Sequence, residues 1–192
     1  MATRGINPAG KVTYAQYRLL PEGERYELID GGLVSLTPAP GTRHMLAKRR
    51  LDGALRVVVE AAGLGVVGDA PIDVVLDEGH VVQPDLFVVI SDRLAIFHSE
   101  GVRGAPDLVV EVLSPGSVRR DRFEKKSLYA RFGVREYWIV DPEAERFEIY
   151  QLTETGYELA RLVEGNSRPV SPLLGEVPIS PAEAFAPLPG WP

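Results

Sequence analysis

Pro84-Asp85-Leu86-Phe87-Val88-Val89-Ile90 and Leu108-Val109-Val110-Glu111-Val112-Leu113 decide how this chain is read. Each run is apolar on nearly every residue, as a strand covered on both faces is, and each is interrupted by one carboxylate. An isolated ionised carboxylate in such surroundings is costly unless it is paired or bound to a metal. Two readings compete: Asp85 as a solvated strand start with Glu111 in a structural ion pair to an arginine, or both acids in one site. Topology favours the second. If the two strands are antiparallel neighbours, the start of the first lies beside the end of the second, and Asp85 and Glu111 fall at the same edge. Carboxylates held side by side repel unless a proton or a cation lies between them.

Working outward, Ser114-Pro115-Gly116-Ser117 is a turn whose last serine is placed to cap a helix over 118–132, stopped by Gly133. The strand at 136–140 then requires a right-handed crossover and lies parallel to the strand at 108–113. Thr13 caps a helix over 14–20 that Pro21 and Gly23 end. Strands 25–30 and 33–37 form a hairpin around Gly31-Gly32, broken by Pro38, Pro40 and Gly41. A helix over 42–62 carries Met45, Leu46, Leu51, Leu55 and Val58 at core spacings. Strands follow at 65–68, 72–76 and 81–82, then a longer connection over 91–106 and further strands at 146–152 and 157–163. The fold class is α/β (α+β): a mixed central sheet flanked by helices, with extra β-hairpins.

With 192 residues and 45% hydrophobic content, the chain is expected to form a single domain over 1–168. The seven prolines from Pro169 to Pro192 mark 169–192 as a tail with little regular structure, packed on the domain or on a partner. No apolar run approaches the ~20 residues of a membrane helix, and the residues before Gly10 contain no apolar signal region. A soluble, cytoplasmic protein without a membrane partner is expected. The absence of cysteine excludes disulfides and thiolate metal sites. A net charge of -6 argues against coating nucleic acid by bulk electrostatics. The basic residues are nevertheless clustered, at Arg43, Lys48, Arg49 and Arg50 and again at Arg119, Arg120, Arg122, Lys125 and Lys126.

Asp121, Lys125 and Tyr129, spaced i, i+4, i+8, share a helix face close behind Glu111, so Lys125 has the reach to bring its ammonium there. An ordinary Asp121–Lys125 helical salt bridge with Tyr129 as packing is the competing account. Glu27, in Tyr26-Glu27-Leu28-Ile29-Asp30-Gly31, is a third acid among strand apolars, which a strand edge facing water explains equally well. Carboxylates with main-chain oxygens suit a hard cation, Mg²⁺ or Mn²⁺, able to orient a water and neutralise charge on a phosphodiester, with a lysine nearby to stabilise it or to help deprotonate the water. There is no Walker loop, no hydrolase elbow around Ser114, and no ligand-like spacing at His80 or His98.

These residues resemble a known family. The run from Tyr26 to Gly31, His44 after the proline loop, Pro84-Asp85, Glu111 to Pro115, Asp121 to Lys125 to Tyr129, and Gly133-Val134-Arg135-Glu136-Tyr137-Trp138 is similar to the Uma-two family. That family lies within the PD-(D/E)XK, restriction endonuclease-like superfamily, and the likeness covers roughly residues 14–157. It implies a nuclease core with Mg²⁺ or Mn²⁺ at Asp85 and Glu111, the Val112 main-chain carbonyl as a further ligand, and Glu27 as an auxiliary acid. Leu113 stands where the superfamily pattern has lysine; the family's helix lysine matches Lys125, with Lys126 the second choice. His44, Asp121 and Tyr129 are auxiliary positions. The implied activity is Mg²⁺-dependent endonucleolytic hydrolysis of DNA by a homodimer. The alternative is a catalytically silent nuclease-fold protein that binds DNA or protein.

Overall fold

The structure is a computed structural model that describes residues 10–21, 24–36, 41–188 and 190. The expectations at Gly23, Thr37, Pro38, Pro40, Pro189 and Pro192, and on the first nine residues, lie outside these.

α1 (Tyr14–Tyr17) is a single turn, shorter than expected, closed by a capping box in which Thr13 Oγ1 accepts from Gln16 N and Gln16 Oε1 accepts from Thr13 N. β1 (Tyr26–Ile29) and β2 (Gly32–Ser35) form the expected hairpin, turned through Asp30 and Gly31 at φ of 50° and 76°. α2 (Thr42–Val59) precedes β3 (Gly65–Asp69), β4 (Val74–Asp77), β5 (His80–Val82) and β6 (Leu86–Ile90). The long connection over 91–106 folds into a 3₁₀ turn, Ser91–Ile96, followed by β7 (Phe97–His98) and β8 (Gly101–Arg103). Strands this short carry no periodicity of their own; β8 exists because it lies parallel to β4. After β9 (Leu108–Val112), the expected α-helix begins at Val118, passes through a π-helical segment, Arg120–Lys125, and continues as α3 (Lys126–Arg131). Ser117 does not cap this helix: its Oγ accepts from Ser114 N at 3.1 Å and closes the preceding turn. β10 (Glu136–Asp141), β11 (Arg146–Thr153) and β12 (Gly156–Glu164) follow.

The tail departs from expectation. It forms a small hairpin, β13 (Val170–Ser171) with β14 (Gly175–Glu176), and a helical turn, α4 (Pro181–Phe185). Pro181 sits in the first turn of α4, where a proline is favourable, behind a Ser180–Glu183 capping box.

Two six-stranded sheets result, ordered β2-β1-β5-β4-β8-β7 and β12-β11-β10-β9-β6-β3. β9 and β10 are parallel, as the crossover demands, while β6 and β9 are antiparallel with Leu86 opposite Val110. The second sheet is covered on both faces, which is why its strands read as continuous apolar runs. Leu86, Val88, Val110, Trp138 and Val140 cluster with Leu51 and Leu55 of α2 and with Val177, Ile179 and Ala184 of the tail. Phe87, Val89, Val109, Tyr137 and Ile139 cluster with Val74, Val82 and Val102 of the first sheet and with Leu128 and Tyr129 of α3. Gly68 on β3 is required by this packing, since a Cβ there would fall 2.1 Å from the Phe87 ring.

Candidate active site

The β6–β9 register, extended by one residue beyond Leu86↔Val110, places Asp85 opposite Glu111. Both alternate in phase with Phe87 and Val109, so they share the sheet face that looks toward α3 and the first sheet. Asp85 Oδ2 accepts from Val112 N at 2.9 Å and lies 2.9 Å from Nε2 of His44, in the first turn of α2. Glu111 Oε1 accepts from the Tyr129 hydroxyl at 2.8 Å and pairs with Lys125 Nζ at 2.5 Å. Lys125 Nζ also donates to Glu27 Oε1 at 2.8 Å. Glu27 comes from β1, so the constellation bridges the two sheets. Glu27, Asp85, Glu111, Lys125, His44, Arg120 and Asp121 line one cavity of about 540 Å³, with Tyr129 behind it.

Several competing readings are thereby decided. Glu27 is fully buried rather than facing water, and Glu111 is paired by a lysine rather than an arginine. Lys125 ties Glu27 to Glu111 instead of closing a helical salt bridge, and the cation nearest Asp121 is Arg120, at 3.8 Å. Lys126 is not brought to the cavity; its ammonium lies 3.4 Å above the Tyr150 ring. Burial alone does not mark a site. Asp107 is equally buried, yet it accepts from Arg93 at 2.8 Å and from Ile90 N at 3.0 Å at the other end of the sheet, a structural role.

Sequence reasoning missed Gln83. Its backbone N donates to Glu27 Oε1 at 2.9 Å, its side-chain amide donates to Asp73 at 2.9 Å, and its carbonyl accepts from Arg25 at 2.8 Å. Only its place beside Pro84-Asp85 could have drawn attention to it. In the sequence, Arg120 stands out only as part of a basic run.

Burial raises the Glu111 carboxyl well above the ordinary carboxylate range; Lys125 opposes that shift, and Asp121, Asp85 and Glu27 add to it. Burial also works against the Lys125 ammonium, but Glu111, Glu27 and Asp121 outweigh it and hold its pKa above that of an ordinary lysine. Lys125 therefore keeps its proton, which suits it to electrostatic stabilisation and not to the role of a base. Burial lifts Tyr129 far above the ordinary tyrosine value, with Glu111 adding to the effect, so its hydroxyl stays a donor. Four carboxylates (Glu27, Asp85, Glu111, Asp121) line the cavity together with the Lys125 and Arg120 cations. Arg25 and Lys48 add basic groups to the lining.

Among the described residues, no three His, Cys, Asp or Glu side chains form a metal-holding group by themselves. Mg²⁺ asks for less, since it ordinarily takes one or two carboxylates and keeps several waters. Asp85, Glu111 and the adjoining Val112 offer an oxygen donor set of that kind at one edge of the cavity.

The model of the Uma2 (Uma-two) family, described as "Putative restriction endonuclease", matches residues 13–181. No curated protein matches the chain. A crystal structure of "a putative nuclease belonging to DUF820" from Anabaena variabilis ATCC 29413 is similar at 20% identity and a TM-score of 0.74, over 91% of this chain and 98% of that one. That likeness concerns the fold, a nuclease fold with mixed sheets. The family match, by contrast, runs through β1, β6, β9 and α3, and so through every acid at the cavity floor and the lysine between them: this chain belongs to the Uma2 family.

Proposed function

We propose that the chain is a divalent-cation-dependent endonuclease that hydrolyses DNA phosphodiester bonds. The observation that carries this reading is the pairing of Asp85 and Glu111 across β6 and β9 in one cavity, with the Lys125 ammonium fixed between Glu111 and Glu27. Mg²⁺ or Mn²⁺ held by Asp85, Glu111 and the Val112 carbonyl would supply Lewis acidity and a water of lowered pKa. Val112 N and His44 fix one Asp85 oxygen, and Tyr129 and Lys125 fix one Glu111 oxygen, so each carboxylate is oriented with its other oxygen unengaged by these partners. The permanently charged Lys125 stabilises negative charge that builds on the phosphate. Arg25 and Lys48 supply positive charge for the flanking backbone. A cytoplasmic homodimer cutting both strands is part of the same proposal.

Purified protein with Mg²⁺ or Mn²⁺ is expected to nick or cut plasmid or branched DNA, and chelation to stop it. Asp85→Ala or Glu111→Ala abolishes cleavage, whereas Lys125→Met lowers it about 10²–10³-fold. Unchanged cleavage in both alanine variants rules this site out. One observation favours a second reading, a catalytically silent binding protein: Leu113 occupies the superfamily's lysine position, and Lys125 is saturated by two carboxylates. Calorimetry separates the two, because DNA or protein binding without Mn²⁺ binding leaves only the second.

A further inference from the structure

We propose that Arg120, Glu27 and Asp121 enclose one ordered water molecule, and that Arg120 acts through it as a positioning residue for Glu27. Among the described residues, three buried side-chain polar atoms have no hydrogen-bond partner: Glu27 Oε2, Arg120 Nε and Asp121 Oδ1. They are neighbours, with Arg120 Nε 3.8 Å from each of the two carboxylate oxygens. That separation is too long for a hydrogen bond, yet a group about 2.8 Å from both ends of it would span an angle of about 85°, a little tighter than tetrahedral. Buried polar atoms are almost always satisfied, so three orphans in one place indicate one shared occupant.

The donor set identifies that occupant. Two carboxylate oxygens require donors, while a guanidinium N–H requires an acceptor. A metal cation would serve the oxygens but be repelled by Arg120, and an anion would do the reverse. Water donates twice and accepts once here, and polar sites with two to four partners are where buried waters reside. Burial distinguishes it from a hydroxyl of a bound ligand: the Glu27 and Asp121 side chains are 0% and 3% exposed. Arg120, at 19%, is the side from which the water enters. Glu27 Oε1 already accepts from Lys125 and from Gln83 N. With the water on Oε2, both oxygens of the carboxylate that holds Lys125 are fixed. The inference does not depend on nuclease activity.

A high-resolution crystal structure of the full chain, grown with chelator, tests it. The expected result is one solvent peak within about 2.6–3.2 Å of all three atoms. In Arg120→Lys the ammonium takes the place of that peak and pairs directly with both acids. Arg120→Met lowers Tm by about 4–8 °C and shifts the Lys125 Nζ–H NMR signal, and Arg120→Lys restores both. The proposal is overturned if the wild-type map shows no peak there, whether or not Arg120 Nε contacts Glu27 or Asp121 directly. It is equally overturned if the peak gives an anomalous signal after a Mn²⁺ or Rb⁺ soak, which would make the occupant a cation. The wild-type map decides even if Arg120→Met fails to fold.

Discussion

Lys125 shows how one residue serves both stability and chemistry. Its side chain is 2% exposed, and its ammonium is the shared partner of two acids that are themselves buried. Breaking such an arrangement from one side leaves uncompensated charge, so Lys125→Met should cost about 3–5 kcal/mol in urea unfolding. A cost below about 1 kcal/mol would mean that the acids do not need this lysine. Glu111 makes a separate prediction about pH. Its carboxyl titrates above the ordinary 4.5 because burial and the neighbouring acids disfavour its charge. The folded state therefore binds the proton more tightly than the unfolded one, and stability from this group falls as pH rises from about 4.5 toward the raised value. Glu111→Gln removes the titration. With chelator present, wild type should gain on that variant as pH is lowered through this window, and urea midpoints compared at several pH values read the difference. A gap that stays flat with pH, or widens the other way, contradicts the assigned shift.

At the scale of elements, the π-helical segment Arg120–Lys125 aligns Asp121 and Lys125 with Tyr129 of α3. It also leaves the Asp121 carbonyl to accept from the buried Tyr137 hydroxyl at 3.0 Å. Phe123, in the same segment, is 69% exposed. Deleting it should restore regular α bonding and turn everything before it by about 100° relative to α3. Tyr137 would then lose its acceptor, at a cost of about 1–3 kcal/mol. Far-UV CD should be unchanged and Tm lower, whereas an unchanged Tm would show that the segment has no positioning role. No sequence pattern announced this element, because an i, i+4, i+8 face reads the same in the sequence whether the segment is α or π. Asp85 and Glu111 were legible for the opposite reason: a lone acid in an apolar run conflicts with its own strand, and the conflict is visible residue by residue. Gln83 escaped notice because it acts on Glu27 through a backbone N–H, which any residue possesses. β7 and β8 escaped because strands of two and three residues are defined by the neighbours they pair with.

Over the whole molecule, the sheet that carries the site on one face depends on the tail for cover on the other. Val177, Ile179 and Ala184 lie in the cluster beneath β6, β9 and β10, and Arg50 of α2 donates to the Ala184 carbonyl at 2.9 Å. The tail also satisfies Glu136, the first residue of β10: Ser171 Oγ and Leu173 N each donate to Glu136 Oε2 at 2.9 Å, while Trp138 Nε1 donates to Oε1. β10 pairs directly with β9, with Ile139 opposite Glu111, so disorder that starts at Glu136 reaches the strand bearing the site acid. Removing residues 169–192 would forfeit the burial of Val177 and Ile179, worth about 3–6 kcal/mol together, and strip a buried carboxyl of two donors for about 1–3 kcal/mol more. That loss is comparable with the entire stability of an ordinary domain, about 5–15 kcal/mol. A chain ending at Arg168 should therefore lack near-UV CD and cooperative unfolding, and any Mn²⁺ affinity with them, even though every cavity acid is still present. A cooperative transition within a few degrees of the full chain would instead mean that the two sheets hold the site without the tail.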